Sequence, residues 1–320
     1  MAQTGVPDDH FEPAYLRLSR TGELRARVDA AWEHLRRCDL CARYCRVDRL
    51  QGIKGALCRT AERAIVHSYG PHHGEEDPLR GWRGSGTLFF SWCNLRCVFC
   101  QNWEISHKGL GEAVTPERLA QMMLELQSLG CHNINLVSPS HVVAQILAAV
   151  EIAARQGLRL PLVYNTGGFD SPEALALLDG VVDIYMPDMK YGRDETAFRY
   201  SRIRDYVSVN RAAVREMHRE VGDLVLDPTG IAQRGLLIRH LVMPGLLDET
   251  ESVLAFIARE LSLDTYLNLM DQYRPCYRAS EHPPLDRPLS RDEYARALAT
   301  ARRLGLRRLD GLQPLRPGCP

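Results

Sequence analysis

The stretch that most constrains this chain spans residues 87–102. There a short apolar run, residues 87–92, leads directly into Cys93, Cys97 and Cys100 with the spacing C-x3-C-x2-C. A run so short, apolar and aromatic-rich predicts a buried β-strand. The cysteines then sit in a loop just past the strand's C-terminal end, the edge on which α/β barrels carry their chemistry. Their number is informative. A cubane iron–sulfur cluster is ordinarily held by four thiolates, so three thiolates hold three irons and leave the fourth open to a small molecule. The competing reading is a zinc site or three buried thiols. A tetrahedral zinc site needs a fourth ligand, however, and zinc knuckles pair two cysteines with a distant second pair.

Beyond this loop, strands and helices alternate. Thr115 followed by Pro116 predicts a helix start, and Gly130 its stop. Further strands are predicted at 133–138, 160–166, 181–187, 236–243 and 265–270. Helices are predicted at 141–156, 171–179, 205–221, 248–261 and 290–304, the last opened by capping-box spacing at Ser290 and Glu293. Six strands alternating with helices imply βαβ units and a parallel sheet, an α/β fold. Right-handed crossovers leave two forms, a six-stranded partial barrel or a doubly wound open sheet, and periodicity does not choose between them.

The 320-residue chain balances 40 Lys and Arg against 40 Asp and Glu. That balance argues against non-specific binding to nucleic acid or to an anionic membrane surface. There is no apolar run of about eighteen residues, so no transmembrane helix is expected. Residues 1–12 carry Asp8, Asp9 and Glu12 and do not read as a secretory signal, so a cytoplasmic protein is expected. Ten cysteines in a reducing compartment point to metal or catalysis rather than disulfides. Cys131, Cys276 and Cys319 stand apart and read as buried small hydrophobes or tail residues. Lysine occurs only at Lys54, Lys108 and Lys190. A lysine retained where arginine is the rule marks a place needing a compact ammonium on a flexible stem, which singles out Lys190.

The second cysteine group is Cys38, Cys41, Cys45 and Cys58, spaced C-x2-C-x3-C-x12-C, with Gly52 and Gly55 letting the backbone wrap. Four thiolates close a site, and either zinc or an auxiliary iron–sulfur cluster suits them; alternatively Cys58 is not a ligand. A closed site of this kind is a structural support or an electron relay. The expected organisation is a flexible arm over 1–22, a cysteine-rich metal-binding extension over 23–83, a barrel over 84–310 and a flexible tail over 311–320. The polar loop 71–78, with His72, His73, Glu75 and Glu76, reads either as a solvated turn or as a contact to substrate or metal.

In a parallel sheet all strand C-terminal ends open on one face, so residues there meet however far apart they lie in sequence. The first strand ends at the three cysteines and the second at Ser138-Pro139-Ser140-His141. The third ends at Asn165-Thr166-Gly167-Gly168 and the fourth at Asp188-Met189-Lys190, while the fifth carries Arg239. Each has a bland reading (Gly167-Gly168 is also simply a turn), but an inert sheet has no need of their coincidence.

With these residues the chain resembles the radical S-adenosylmethionine (SAM) superfamily, in which an aromatic, here Phe99, precedes the last cysteine. Within it the chain resembles the pyruvate formate-lyase activating enzyme-like group, in its uncharacterised homologue branch. The matching stretches are 84–91, 93–102, 132–137, 183–190, 239–245 and 270–275. The resemblance implies a partial (β/α)6 TIM-type barrel with a [4Fe-4S] cluster on Cys93, Cys97 and Cys100. It implies SAM at the open iron and an oxidoreductase that cleaves SAM reductively to a 5′-deoxyadenosyl radical for hydrogen-atom abstraction. The hydrogen would come from a glycyl-radical enzyme, another protein or peptide, or a small metabolite, with an electron donor such as flavodoxin or ferredoxin. By the same resemblance the Phe99 backbone lies near the adenine, Lys190 and Arg239 hold the SAM carboxylate, and Asp188 helps bind a monovalent cation. Ser138, Thr166, Gly167 and Gly168 fall at the remaining cofactor positions. There are departures. Asn165 stands where the family's cation site has an aspartate. Ser138-Pro139-Ser140-His141 replaces a Gly-Gly-Glu that grips the SAM amine, leaving Ser138, Ser140 or a neutral His141 to accept it. The four-cysteine group precedes the barrel rather than following the motif. Against the catalytic readings stands a non-catalytic, zinc-stabilised binding module.

Overall fold

The computed structural model describes residues 11–311. Two helices open it, α1 (Ala14–Thr21) and α2 (Glu23–Leu35). Gly22 joins them in a left-handed conformation, φ +80°, a turn that costs glycine nothing. The sequence predicts a flexible arm over 1–22. Residues 1–10 lie outside the described residues, but residues 14–21 form a docked helix. Tyr15, Leu16 and Leu18 are buried. The Ala14 N–H donates to Asp183 at 2.8 Å and the Tyr15 hydroxyl to the Leu160 carbonyl at 3.0 Å. Eight residues are too few for periodicity to declare a helix, and tertiary docking supplies the stability. The expected tail, from residue 312 on, lies outside the described residues.

The remaining elements are β1 (Ala64–His72), α3 (Asp77–Arg80), β2 (Ser85–Phe90), β3 (Glu112–Val114), α4 (Pro116–Ser128), β4 (Ile134–Val137), α5 (Val143–Arg155), β5 (Leu162–Thr166), α6 (Pro172–Leu178) and β6 (Ile184–Pro187). They continue with α7 (Asp194–Ser201), α8 (Tyr206–Val221), β7 (Val225–Leu226), β8 (Ala232–Leu241), α9 (Leu247–Phe256), β9 (Tyr266–Met270), α10 (Arg291–Arg303) and β10 (Arg308–Leu309). The sheet order is β10-β9-β8-β6-β5-β4-β2-β1-β3. Along this path from β2 to β10 every neighbour is parallel, the short β7 pairs antiparallel with β8 off it, and the ends of the path do not meet. This is the open parallel sheet of a partial (β/α)6 barrel, with helices crossing between successive parallel strands. β1 and β3 add an antiparallel flap on the β2 edge.

The two layers follow from strand alternation. On β5, Leu162 and Tyr164 join the outer core beneath the helices, while Val163 joins Ile184, Met186, Leu237 and Tyr266 in an inner cluster. Leu79 of α3 belongs to that inner cluster, so the segment after β1 plugs the barrel at its N-terminal end. α5 is buried along nearly its whole length, which explains why its sequence is apolar on almost every face. The expected boundary at residue 83 does not separate two bodies. β1 pairs along β2, and the buried Arg49 guanidinium reaches the His141 carbonyl at 2.7 Å.

Candidate active site

The three-cysteine loop leaves β2 through two left-handed residues, Trp92 and Arg96, each at φ +66°. Such conformations in non-glycine residues persist only where surrounding structure holds them. Here the Ser91 N–H donates to Ile65, Trp92 N–H to Ile105, Val98 N–H to Tyr200 and Arg278 N–H to Val98. The Cys97 sulfur accepts from the Ser201 hydroxyl at 3.0 Å, and the Cys93 sulfur from the Leu95 N–H at 3.4 Å. Cys100 lies 3.1 Å from the Ser106 hydroxyl. Burial pushes the Cys100 thiol up to about 12 and also raises Cys93, and in both the neighbouring Cys97 adds to the rise. Three clustered sulfurs supplied with N–H and O–H donors form a donor set suited to a multiply charged iron–sulfur cluster. Phe99 is buried, its ring packed between Tyr191 and Tyr273 at centroid distances of 6.4 and 6.2 Å.

Beside the cysteines lies a partly buried charge cluster. Asp188 and Arg239 face each other across β6 and β8, joined by Arg239 Nε to Asp188 Oδ1 at 2.9 Å. Lys190 Nζ donates to Asp188 Oδ2 at 2.6 Å. Burial alone would raise the Asp188 pKa, but the Arg239 and Lys190 charges outweigh it and hold the carboxyl below the ordinary range. The Lys190 ammonium lies close enough to Cys93 and Cys97 for the charges to interact. With one N–H on Asp188, it keeps two for a ligand. Arg239 is more fully engaged, since Nη2 donates to Asn165 Oδ1 at 2.6 Å and Nη1 lies 3.9 Å from Glu75. A neutral amide accepts the guanidinium, and a fixed positive charge stands at the strand end where the resemblance implied a cation site.

The end of β5 is an internal network. The Thr166 hydroxyl donates to Asp170 at 2.7 Å and accepts from the Gly168 N–H at 3.1 Å. It also lies 2.9 Å from Ser140 Oγ. Its capacity is filled, so Thr166 positions the loop and offers no hydroxyl to a cofactor. Gly167 and Gly168 are packing requirements: a Cβ on Gly167 would lie 2.4 Å from Leu95, and one on Gly168, at φ +74°, would lie 2.4 Å from the Asp188 carbonyl. Gly168→Ala is therefore expected to cost about 2–4 kcal/mol, from left-handed strain plus overpacking, read as a lower midpoint in urea unfolding. Of the three groups offered for the SAM amine, Ser140 is tied to Thr166. His141 is turned away: Nε2 bonds the Ser91 carbonyl at 2.9 Å, and the residue is among those lining the cavity of the other cysteine group. Ser138, left-handed at φ +59°, is the remaining candidate.

Several contributors escaped sequence reasoning. Arg43 clamps the cysteine loop by donating to the Asn94 and Leu95 carbonyls at 2.7 and 3.0 Å. The Tyr206 hydroxyl accepts from the Lys190 N–H at 3.0 Å, and Asn210 Nδ2 donates to the Gly168 carbonyl at 2.9 Å. Glu75, from the loop whose sequence left a solvated turn or a ligand contact open, comes from the plug segment, and burial pushes its carboxyl up to about 7, with Arg239 opposing more weakly. Its folded-state pKa is thus raised, so its favourable contribution is complete below the ordinary carboxylate range and is lost as pH rises through about 7. Glu75→Gln is expected to flatten the fall in stability between mildly acidic and neutral pH, by roughly 3 kcal/mol at most, read by urea unfolding across that range.

Comparison with known proteins bears on this site. A family model described as the radical SAM superfamily matches residues 87–257. An uncharacterised protein of Methanocaldococcus jannaschii is 30% identical over 309 residues, covering 94% of this chain and 85% of its own length. A second uncharacterised protein of the same organism is 24% identical over 286 residues, covering 82% and 77%. A solved structure of a radical SAM methyltransferase from Sphaerobacter thermophilus is similar with a TM-score of 0.49 at 16% identity, covering 92% of this chain and 90% of that one.

Proposed function

The chain belongs to the radical SAM superfamily, and on that premise we propose that Cys93, Cys97 and Cys100 hold a [4Fe-4S] cluster at which SAM is cleaved reductively. When bound, the cluster and SAM together supply a 5′-deoxyadenosyl radical that abstracts a hydrogen atom from a substrate. The chain's own residues do the rest. The Ser201 hydroxyl and Leu95 N–H stabilise thiolate charge. Lys190 keeps N–H donors for the methionyl carboxylate, and Asp188 fixes the direction of both Lys190 and Arg239, so that orientation is set before the ligand arrives. Phe99 is held by aromatic neighbours, which sets its backbone for the adenine. Ser138 serves the amine.

One observation carries this reading: three cysteines on one loop, at the C-terminal end of the first parallel barrel strand, beside a partly buried lysine. In the same proposal, Cys38, Cys41, Cys45 and Cys58 hold a second cluster or a zinc ion. The electron donor is a low-potential carrier such as flavodoxin or ferredoxin, and the substrate is a protein or peptide, with a small metabolite as the second reading. Among the described residues no helix is long and apolar enough to cross a membrane. The test is to incubate reduced, reconstituted protein with SAM and measure 5′-deoxyadenosine and methionine. Formation of both supports the reading, and a protein that binds zinc alone and cleaves no SAM overturns it. A glycyl-radical EPR signal on a candidate glycyl-radical enzyme separates activation from metabolite chemistry.

A further inference from the structure

The four N-terminal cysteines line one cavity of about 10 Å³, together with Arg43, Arg49, Asn94 and His141. Among the described residues no three His, Cys, Asp or Glu side chains are already arranged around a single ion. The thiols ring a space about the size of one water, so filling the site means spreading them.

Two observations say what belongs there. The first is charge. Arg49 is 1% exposed. Its guanidinium donates to the Thr60, Ala61 and His141 carbonyls and lies 3.7 Å from Cys38 Sγ. Among the described residues no carboxylate pairs with it. A buried cation needs a compensating anion, and the thiols beside it are the groups able to supply one. The second is an orphaned lone pair. His141 is 2% exposed, and a carbonyl can only accept, so the ring's bond to Ser91 fixes the proton on Nε2. Nδ1 is then an acceptor, buried and without a partner. The orphaned Nδ1 leaves a second unmet polar demand on a residue that lines the same cavity.

The cavity shares its walls with the candidate active site. Arg43 holds the Asn94 and Leu95 carbonyls between Cys93 and Cys97. The Asn94 side chain donates to the Phe169 carbonyl at 2.8 Å. His141 bonds Ser91, two residues before Cys93. We propose that Cys38, Cys41, Cys45 and Cys58 bind one anionic metal–thiolate centre, compensated by Arg49, which positions the Cys93–Cys100 loop through Arg43, Asn94 and His141. The metal-site part stands alone, while the positioning part rests on the cluster reading above.

The test uses full-length protein purified anaerobically, with iron, sulfide and zinc counted per chain. The triple variant Cys93→Ser/Cys97→Ser/Cys100→Ser is expected to retain metal, either one zinc or about four irons with matching sulfide. Adding Cys41→Ser and Cys58→Ser is expected to remove it. A folded triple variant free of metal overturns the centre, even if wild-type protein cleaves SAM. Retained metal upholds the centre, even if wild-type protein cleaves none. For positioning, Cys41→Ser/Cys58→Ser alone is expected to shift the EPR spectrum of the loop's reduced cluster and to speed its loss to a chelator several-fold; an unchanged spectrum and rate overturn that part. If the double variant does not fold, His141→Gln, checked by circular dichroism and gel filtration, carries the same two readouts and the same criterion.

Discussion

Cys97→Ala is expected to strip the loop of its cluster and to lower 5′-deoxyadenosine formation by at least about 100-fold, equivalent to about 2.7 kcal/mol or more in the barrier. Cys97 is the middle cysteine of the loop and is buried, with its sulfur accepting from Ser201. Removing it leaves two thiolates, too few to anchor three irons. Iron and sulfide counting checks the first half, falling by about four of each, and product analysis checks the second. Stability should hardly change in the metal-free state. Losing one sulfur from a packed loop leaves a small cavity worth about 1 kcal/mol, so a Cys97→Ala protein that folds normally but cleaves no SAM separates chemistry from folding. If iron content and cleavage both survive, the cluster lies elsewhere. Ser201→Ala is a milder companion, since it keeps all three ligands and removes only the hydroxyl donor to Cys97.

Much of the barrel was legible because local signals mark its element ends. The Thr115 side chain accepts from Arg118 N–H at 3.3 Å, as its N-cap position predicts, and Ser290 and Glu293 close a capping box. Each barrel strand lies within a few residues of its expected place. The elements that escaped depend on distant partners. α7 lies in what reads as an irregular link, and its eight residues depend on packing: Ala197 and Tyr200 join the core around Phe99. β3 exists because residues 112–114 pair with residues 64–66, and three residues carry no period. The π-helical turn at Glu104–Lys108 left no signal in the sequence reading.

The site divides in the same way. Cysteine spacing and the scarcity of lysine pointed to Cys93, Cys97, Cys100 and Lys190, because a ligand set and a rare residue type are visible without coordinates. Side-chain direction is not. Thr166 and His141 sit at strand ends where a ligand would be contacted, yet one is saturated by Asp170, Gly168 and Ser140 and the other is bonded to the Ser91 carbonyl and is among the residues lining the second cysteine cavity. Arg43 was invisible as a site residue for a related reason, and Glu75 stood only in a loop that reads either as a solvated turn or as a contact to substrate or metal. Their partners are 51 and 164 positions away in sequence, and a polar residue in a loop reads as solvated until the fold turns it inward.

The second large effect is expected at Asp188. Its carboxylate is the shared partner of Lys190 and Arg239, and Asp188→Ala leaves the partly buried Lys190 without its carboxylate and Arg239 with only Asn165 and the more distant Glu75. Breaking one side of a buried ion pair costs about 3–5 kcal/mol, and because these side chains are only partly buried and Arg239 keeps Asn165 and Glu75, this variant is placed at the lower end. Urea unfolding near neutral pH measures it. The sign of its pH dependence follows from the depressed folded-state pKa of Asp188. The carboxylate's contribution is present above the ordinary carboxylate range and is lost as pH falls through the depressed value, so the gap between wild type and Asp188→Ala should narrow in acid. The same variant also tests how the charges face SAM. If Lys190 and Arg239 point toward the methionyl carboxylate, SAM should raise the unfolding midpoint of Asp188→Ala more than that of wild type, because the ligand then supplies the missing anion as well as its binding free energy. An equal or smaller increment would mean that the two cations serve the fold of β6 and β8, and that the SAM carboxylate is held elsewhere.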